Sequence, residues 1–315
     1  RRDILAVLER LDGVHDVVLG VLVGLVIDGA GIDQHALGVD HVAVRRGLGG
    51  VRVTDHAVAV DQRDRHALVM VAEAVRHGNL RLAFQPVVQS GAIGKIAFYE
   101  GLIRILDKTG RTIPARDFIG AVETSELGRE IDCAALEMGL RALARHPTLR
   151  LSINMSARSI GYPRWKQVLN RILEREPTVA ERLILEITEA SAMLVPELVI
   201  AFMHDLQRQG VTFALDDFGA GFTSFRYLRD FYFDIVKIDG QFIRGVHADA
   251  DNQVLTKALV AIAQQFDMFT VAESVENAAD SHWLVQAGVD CQQGYLFGAP
   301  TVSPPWKEER LRNSA

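Results

Sequence analysis

The chain has 315 residues, 49% hydrophobic and 23% charged, enough to bury the core of a barrel-sized globular domain with a smaller appendage. A net charge of −6 and a pI near 5.9 argue against a polymeric nucleic-acid partner, although bound cations could still draw a small anion to an acidic site. Cys133 and Cys291 have no paired spacing, which suggests a reducing, cytoplasmic setting without a disulfide framework.

In chain order, residues 1–70 lack Phe, Tyr, Trp, Lys, Ser and Pro yet hold five of the ten histidines. They are read as a small N-terminal region of unknown fold and role. The apolar run 17–27 is bounded by Asp16 and Asp28 and is far shorter than the roughly 20 residues of a bilayer span, so no membrane span is expected. Asp3, Glu9, Asp12 and Asp16 also interrupt any signal-peptide pattern. His35, His41, His56 and His66 show neither HxxxH nor HxH spacing and are read as solvated loop residues rather than ligands.

From Ala67 to His77 the apolar spacing predicts a helix ended by Gly78–Asn79, with 71–80 linking it to the β-rich region beyond. There, short β-rich runs alternate with helical patterns. The strands are expected at Leu82–Val88, Ile96–Leu106, Leu149–Ser156, Leu183–Thr188, Val211–Asp216, Ile235–Asp239, Phe269–Val275 and Cys291–Phe297. Helices are expected at Ile131–Arg145, Trp165–Glu174, Glu197–Gln209 and Gln253–Phe266. Eight strands alternating with helices predict an α/β fold, a TIM-like (β/α)8 barrel over 81–303, with 304–315 as a tail. An open doubly wound sheet is the competitor, but its glycine-rich first turn is missing.

Polar residues cluster where these strands end: Asn154, Glu186, Asp216 with Asp217, Lys237 and Glu273. In a barrel these ends form one rim, the place where chemistry is built. A single acid at a strand end is ordinarily a helix cap or a solvated turn. Several carboxylates on one rim would repel and take up protons unless a cation compensated them. Glu100, Asn154, Glu186, Asp216, Asp217 and Glu273 offer only oxygen, which suits hard ions such as Mg²⁺ or Mn²⁺ better than zinc. Adjacent Asp216 and Asp217 allow one carboxylate to bridge two ions, an arrangement suited to phosphoryl-ester hydrolysis. Lys237 in such a ring could hold an attacking hydroxide or offset phosphate charge.

Over 81–303 the chain resembles the EAL domain family. The resemblance runs in order through Phe84-Gln85-Pro86, Glu100-Gly101-Leu102-Ile103-Arg104, Asn154-Met155-Ser156 and Glu186-Ile187-Thr188-Glu189. It continues through Asp216-Asp217-Phe218-Gly219-Ala220-Gly221, Lys237-Ile238-Asp239, Glu273-Ser274-Val275-Glu276 and Gln293-Gly294-Tyr295. It implies a barrel with an antiparallel first strand and hydrolysis of cyclic-di-GMP to linear pGpG with two Mg²⁺ or Mn²⁺ ions. By position, Glu100, Asn154, Glu186 and Asp216 would hold one ion, and Asp216, Asp217 and Glu273 the other. Lys237 would contact the nucleophilic water, and Glu273 would serve as general base. Gln85, Leu102, Arg104, Asp239, Gln293 and Tyr295 would contact substrate, and Glu189 would anchor the loop from Phe218 to Arg229. A homodimer through the barrel is also implied. The alternative is a cyclic-di-GMP receptor that binds without turnover. Gly101, Ala220 and Ser274 depart from the family's usual Ala, Thr and Gly, and none of them is a ligand.

Overall fold

The computed structural model describes residues 52–107, 109–220 and 225–306. The chain divides into two compact units, Arg1–Arg63 and Asp64–Ala315. The expectations for run 17–27, His35 and His41 lie outside the described residues. Helix α1 (Arg52–His77) begins well before its predicted start. It therefore carries His56 and His66, which are helical rather than loop residues, and His66 is exposed as expected. Ala67, Val71 and Ala74 form its buried stripe. The helix stops at Gly78, whose φ of 67° lets Asn79 N–H return to Ala74 O at 2.9 Å.

The strands are β1 (Leu80–Gln89), β2 (Ile96–Leu106), β3 (Thr112–Pro114), β4 (Leu151–Asn154), β5 (Leu183–Thr188), β6 (Thr212–Phe218), β7 (Ile235–Ile238), β8 (Phe269–Ala272) and β9 (Cys291–Gln293). Hydrogen bonding runs β1-β9-β8-β7-β6-β5-β4-β2 and closes through β1–β2, with β3 attached to β2 outside the ring. β1 is antiparallel to both β2 and β9, and the ladders from β2 and β4 round to β9 are parallel. The predicted barrel with its antiparallel first strand is what forms.

Helices α2 (Glu126–Arg145), α3 (Pro163–Leu173), α4 (Pro196–Gln207), α5 (Phe225–Phe231), α6 (Ala250–Gln265) and α7 (Ala278–Gln286) come after successive strands. Parallel neighbours need such long crossovers. α7 escaped the sequence reading because its buried residues are Asp280, Ser281 and Leu284, which leave little apolar periodicity. The predicted strands Phe269–Val275 and Cys291–Phe297 stop early. Ser274 takes a φ of 57°, and Gly294 presses so close to Val275 that a Cβ would overlap its backbone.

Alternation along the strands sorts the barrel into an outer and an inner face. Outward residues such as Ile103, Ile153, Leu185, Phe213, Leu215 and Val236 join the large core beneath the helices. Inside, Val87, Phe98, Ile184, Ala214, Ile235 and Val271 form a closed apolar layer. Two residues further along the same faces come Gln85, Glu100, Glu186, Asp216, Lys237 and Glu273. A dry apolar floor therefore lies directly beneath a polar ring.

Beyond β9 the chain returns to β1, where Thr301 bridges Phe84. Trp306 then packs edge-on against Phe84 and Tyr99, with centroids 5.2 and 4.5 Å away. Phe84 and Tyr99 directly precede Gln85 and Glu100, so this strap braces the outer side of the wall that carries them. Trp306→Ala is expected to lower stability by about 2 kcal/mol, read by chemical unfolding, because the ring is half-buried and loses both aromatic pairs.

Candidate metal and phosphodiester site

Lys237 organises the ring. Its side chain is 1% exposed, and Nζ lies 2.7 Å from Glu273 Oε1, 2.9 Å from Glu186 Oε2, 2.9 Å from Asp216 Oδ1 and 3.6 Å from Glu100 Oε2. Burial alone would favour a neutral amine, but Asp216, Glu100, Glu186 and Glu273 together push the ammonium well above its usual range.

The carboxylates respond unequally. Glu100 accepts from Gln293 Nε2 at 2.6 Å and from Asn154 Nδ2 at 2.8 Å. Burial works against its charge, yet Lys237 and these two amides hold its carboxyl below the ordinary value. Glu186 is fully buried and has no amide donor of this kind, so burial and the neighbouring Glu100 charge push it well upward despite Lys237 and the Ser152 hydroxyl. Glu273 rises to about 8 through burial, with Asp216 and Glu100 adding to the shift and Lys237 opposing it. Asp217 rises to about 6, from partial burial first and then from Asp216 and Asp239.

Asp216 and Asp217 both belong to this group, although neighbours on a regular strand face opposite ways. The break lies in the backbone: the β6–β7 register shifts between Leu215 and Phe218, and Asp217 has a φ of 57°. Asp tolerates this left-handed conformation better than most residues. Carboxylate oxygens of Asp216, Asp217 and Glu273 lie within 4.8 Å of one another. Glu186 Oε1 is sealed from solvent with no hydrogen bond, and Asp216 Oδ1 meets Lys237 as an ion pair without an aligned hydrogen bond. Oxygen-only donors, crowded carboxylates and an unsatisfied buried oxygen fit a hard divalent cation.

The residues expected to contact substrate fall into two groups. Gln85 and Gln293 are buried and bonded to each other at 3.1 Å, and Gln85 also donates to Gly298 O. Both back Glu100. Arg104 is half-buried, with Nη1 on Ile103 O, and burial holds its guanidinium below the usual range, offset in part by the Glu100 charge. Tyr295 is exposed and Leu102 half-buried. Asp239 caps the helical turn Gly240–Ile243 through Gln241 N–H. Glu189, 2% exposed, accepts from Gly219 N–H at 3.2 Å. Gly219 has a φ of 93°, and a Cβ there would lie 2.9 Å from Phe242. Residues 221–224 of the loop lie outside the described residues.

The EAL domain family model matches residues 69–300. The chain belongs to the EAL domain family. It is 32% identical over 236 residues to the cyclic di-GMP phosphodiesterase PdeB of Shewanella oneidensis, covering 74% of this chain and 28% of that one. It is 30% identical over 233 residues to the cyclic di-GMP phosphodiesterase PdeF of Escherichia coli, covering 72% and 31%. The chain thus spans under a third of the length of either relative. Among solved structures, the FimX EAL domain from Pseudomonas aeruginosa bound to c-di-GMP superposes with a TM-score of 0.67 at 26% identity, over 75% of this chain and 96% of that one. The PaMucR phosphodiesterase in its c-di-GMP complex gives 0.66 at 27% identity, over 78% and 99%.

Of the departures of this EAL domain, Gly101 has a local explanation. A Cβ at Gly101 would lie 2.7 Å from Ile153 Cδ1 and 2.9 Å from Leu82 Cδ2, so larger neighbours already fill the space of an alanine methyl. Ser274 holds its left-handed turn beside Glu273, and its Oγ accepts from Arg244 Nη2 at 3.0 Å. Ala220 N–H closes a turn onto Asp217 O. Among the described residues, no helix is long and apolar enough to cross a membrane.

Proposed function

We propose that this EAL domain hydrolyses cyclic-di-GMP to linear pGpG with two Mg²⁺ or Mn²⁺ ions. The observation that carries the reading is the buried carboxylate ring around Lys237, whose charge one ammonium cannot balance. Glu100, Asn154, Glu186 and Asp216 would hold one ion, and Asp216, Asp217 and Glu273 the other. The ions, when bound, supply positive charge to phosphate oxygens and lower the pKa of a water molecule.

Hydrolysis forms one bond from water oxygen to phosphorus and breaks the bond from phosphorus to the 3′ oxygen. The water's proton leaves and the departing alkoxide gains one. In this reading Glu273 takes the water's proton, and Lys237 orients the water and offsets charge building on phosphorus. Arg104 meets the phosphate away from the ions, assisted by Tyr295, Leu102 and Asp239 around the nucleotide. Lys237, Gln293 and Asn154 keep Glu100 ionised, and Gln85 steadies Gln293. Glu189 holds the Gly219 turn beside Asp217, and the working form is a homodimer through the barrel.

The test is incubation of the full chain with cyclic-di-GMP and Mg²⁺ or Mn²⁺, with chromatographic detection of pGpG. Product is expected at a rate about 10³-fold above that of Glu273→Gln, which removes the base while keeping its shape. Ligand binding with no product above that variant would overturn the enzyme reading and leave a receptor.

A further inference from the structure

One half-buried carboxylate has no part in the chemistry proposed for the ring. Asp132 lies on α2, and its Oδ2 accepts from Ser156 N–H at 3.0 Å and from Ser159 Oγ–H at 2.6 Å. Both donors belong to the turn after Asn154, the last residue of the four-residue strand β4. Past Asn154 the strand ladder ends, so this turn sets where the amide sits. Its other ties are Met155 N–H to Glu186 O at 2.9 Å and Ala157 N–H to Ser191 Oγ at 2.8 Å. Arg129 reaches Arg158 O from the exposed side.

Resting on the reading of the cation site above, we propose that Asp132 is a positioning residue that holds the β4 turn so that Asn154 faces the cation site and donates to Glu100. Two observations support it beyond the hydrogen bonds. Burial raises the Asp132 carboxyl to about 6, against the pull of Ser159 and Ser156, so its charge at neutral pH works against the fold. A polar residue with no task beyond stability would serve better uncharged. The turn also lies between two members of the ring, with Asn154 at its start and Glu186 O bonded to Met155. Residues that orient metal ligands typically change cation affinity about 10- to 100-fold when replaced.

The experiment is titration of the full chain with Mn²⁺, following free Mn²⁺ by electron paramagnetic resonance, alongside pGpG formation at rising Mn²⁺. Asp132→Ala is expected to bind Mn²⁺ about tenfold more weakly. Its turnover should return towards wild type at saturating Mn²⁺, a split that general loss of structure would not produce. Asp132→Asn keeps an acceptor oxygen and should recover most of the affinity while unfolding at a higher temperature at neutral pH. Ser159→Ala removes one donor, leaves the carboxylate in place and should weaken Mn²⁺ binding by a smaller factor. It carries the test if Asp132→Ala does not fold. Wild-type Mn²⁺ affinity in folded Asp132→Ala, or in Ser159→Ala when the former is unfolded, overturns the proposal. A loss of turnover that excess Mn²⁺ does not restore also overturns it. If the wild-type chain itself binds no Mn²⁺, the reading of the cation site falls and takes this inference with it.

Discussion

Lys237→Met is expected to lower the melting temperature of the metal-free protein by about 10 °C and to reduce cyclic-di-GMP hydrolysis by at least about a hundredfold. The ammonium is the buried positive charge among Glu100, Glu186, Asp216 and Glu273, at 2.7 to 3.6 Å from each. Removing one partner of a buried ion pair commonly costs about 3–5 kcal/mol, because the remaining charges keep their desolvation and lose their attraction. Here several carboxylates are orphaned together. Proton uptake by Glu186 and Glu273, whose carboxyls already sit high, softens the loss without cancelling it. The measurement is thermal unfolding in EDTA and again in excess Mg²⁺. Cations in the ring would replace the missing ammonium, so the gap should narrow with Mg²⁺. An unchanged melting temperature in EDTA would show that Lys237 is not the neutralising charge.

Glu186→Gln should do the reverse to stability while being as damaging to turnover, a fall of about 10³-fold. Its carboxyl is raised by burial and by Glu100, which means that the folded chain binds that proton more tightly than the unfolded chain does. Wherever the native state holds the extra proton, stability falls as pH rises. For Glu186 the fall begins near its ordinary value of 4.5 and continues upward, and Glu273 adds the same sign between 4.5 and about 8. Lys237 contributes stability that is lost only as pH rises above 10.5, outside this window, because its pKa is raised as well. Metal-free wild type should therefore melt at progressively lower temperature from about pH 5 to about pH 8. Glu186→Gln carries no titrating proton at this position, so it should show a shallower slope and a higher melting temperature at the alkaline end. An unchanged slope in the variant would mean that Glu186 is ionised throughout this range and holds no extra proton in the folded chain.

These two substitutions separate residues that a motif treats alike. Both carry the same expectation of lost activity, yet their effects on the empty site differ in sign, because one supplies the charge that the other crowds.

The sequence by itself determined the barrel, the antiparallel first strand by way of the family resemblance, and the gathering of acids on the rim at the strand ends. Alternation along β5 and β7 is enough to put Glu186 and Lys237 on the inner face once the strands are located. Tertiary structure alone decided three further matters. How Asp216 and Asp217 come to share the site, as the sequence expected, is a break of register in β6 and a positive φ at Asp217, since adjacent residues on a regular strand would have diverged. Gln293 donates to Glu100 and also to Gln85, a pairing between residues 208 positions apart that closure of the ring through β1 creates. Asp132 carries no motif, since a lone acid on a helix reads as a solvated one. Its place behind Asn154 comes from how α2 packs on β4, because burial and hydrogen bonding depend on neighbours in space that local order along the chain does not specify.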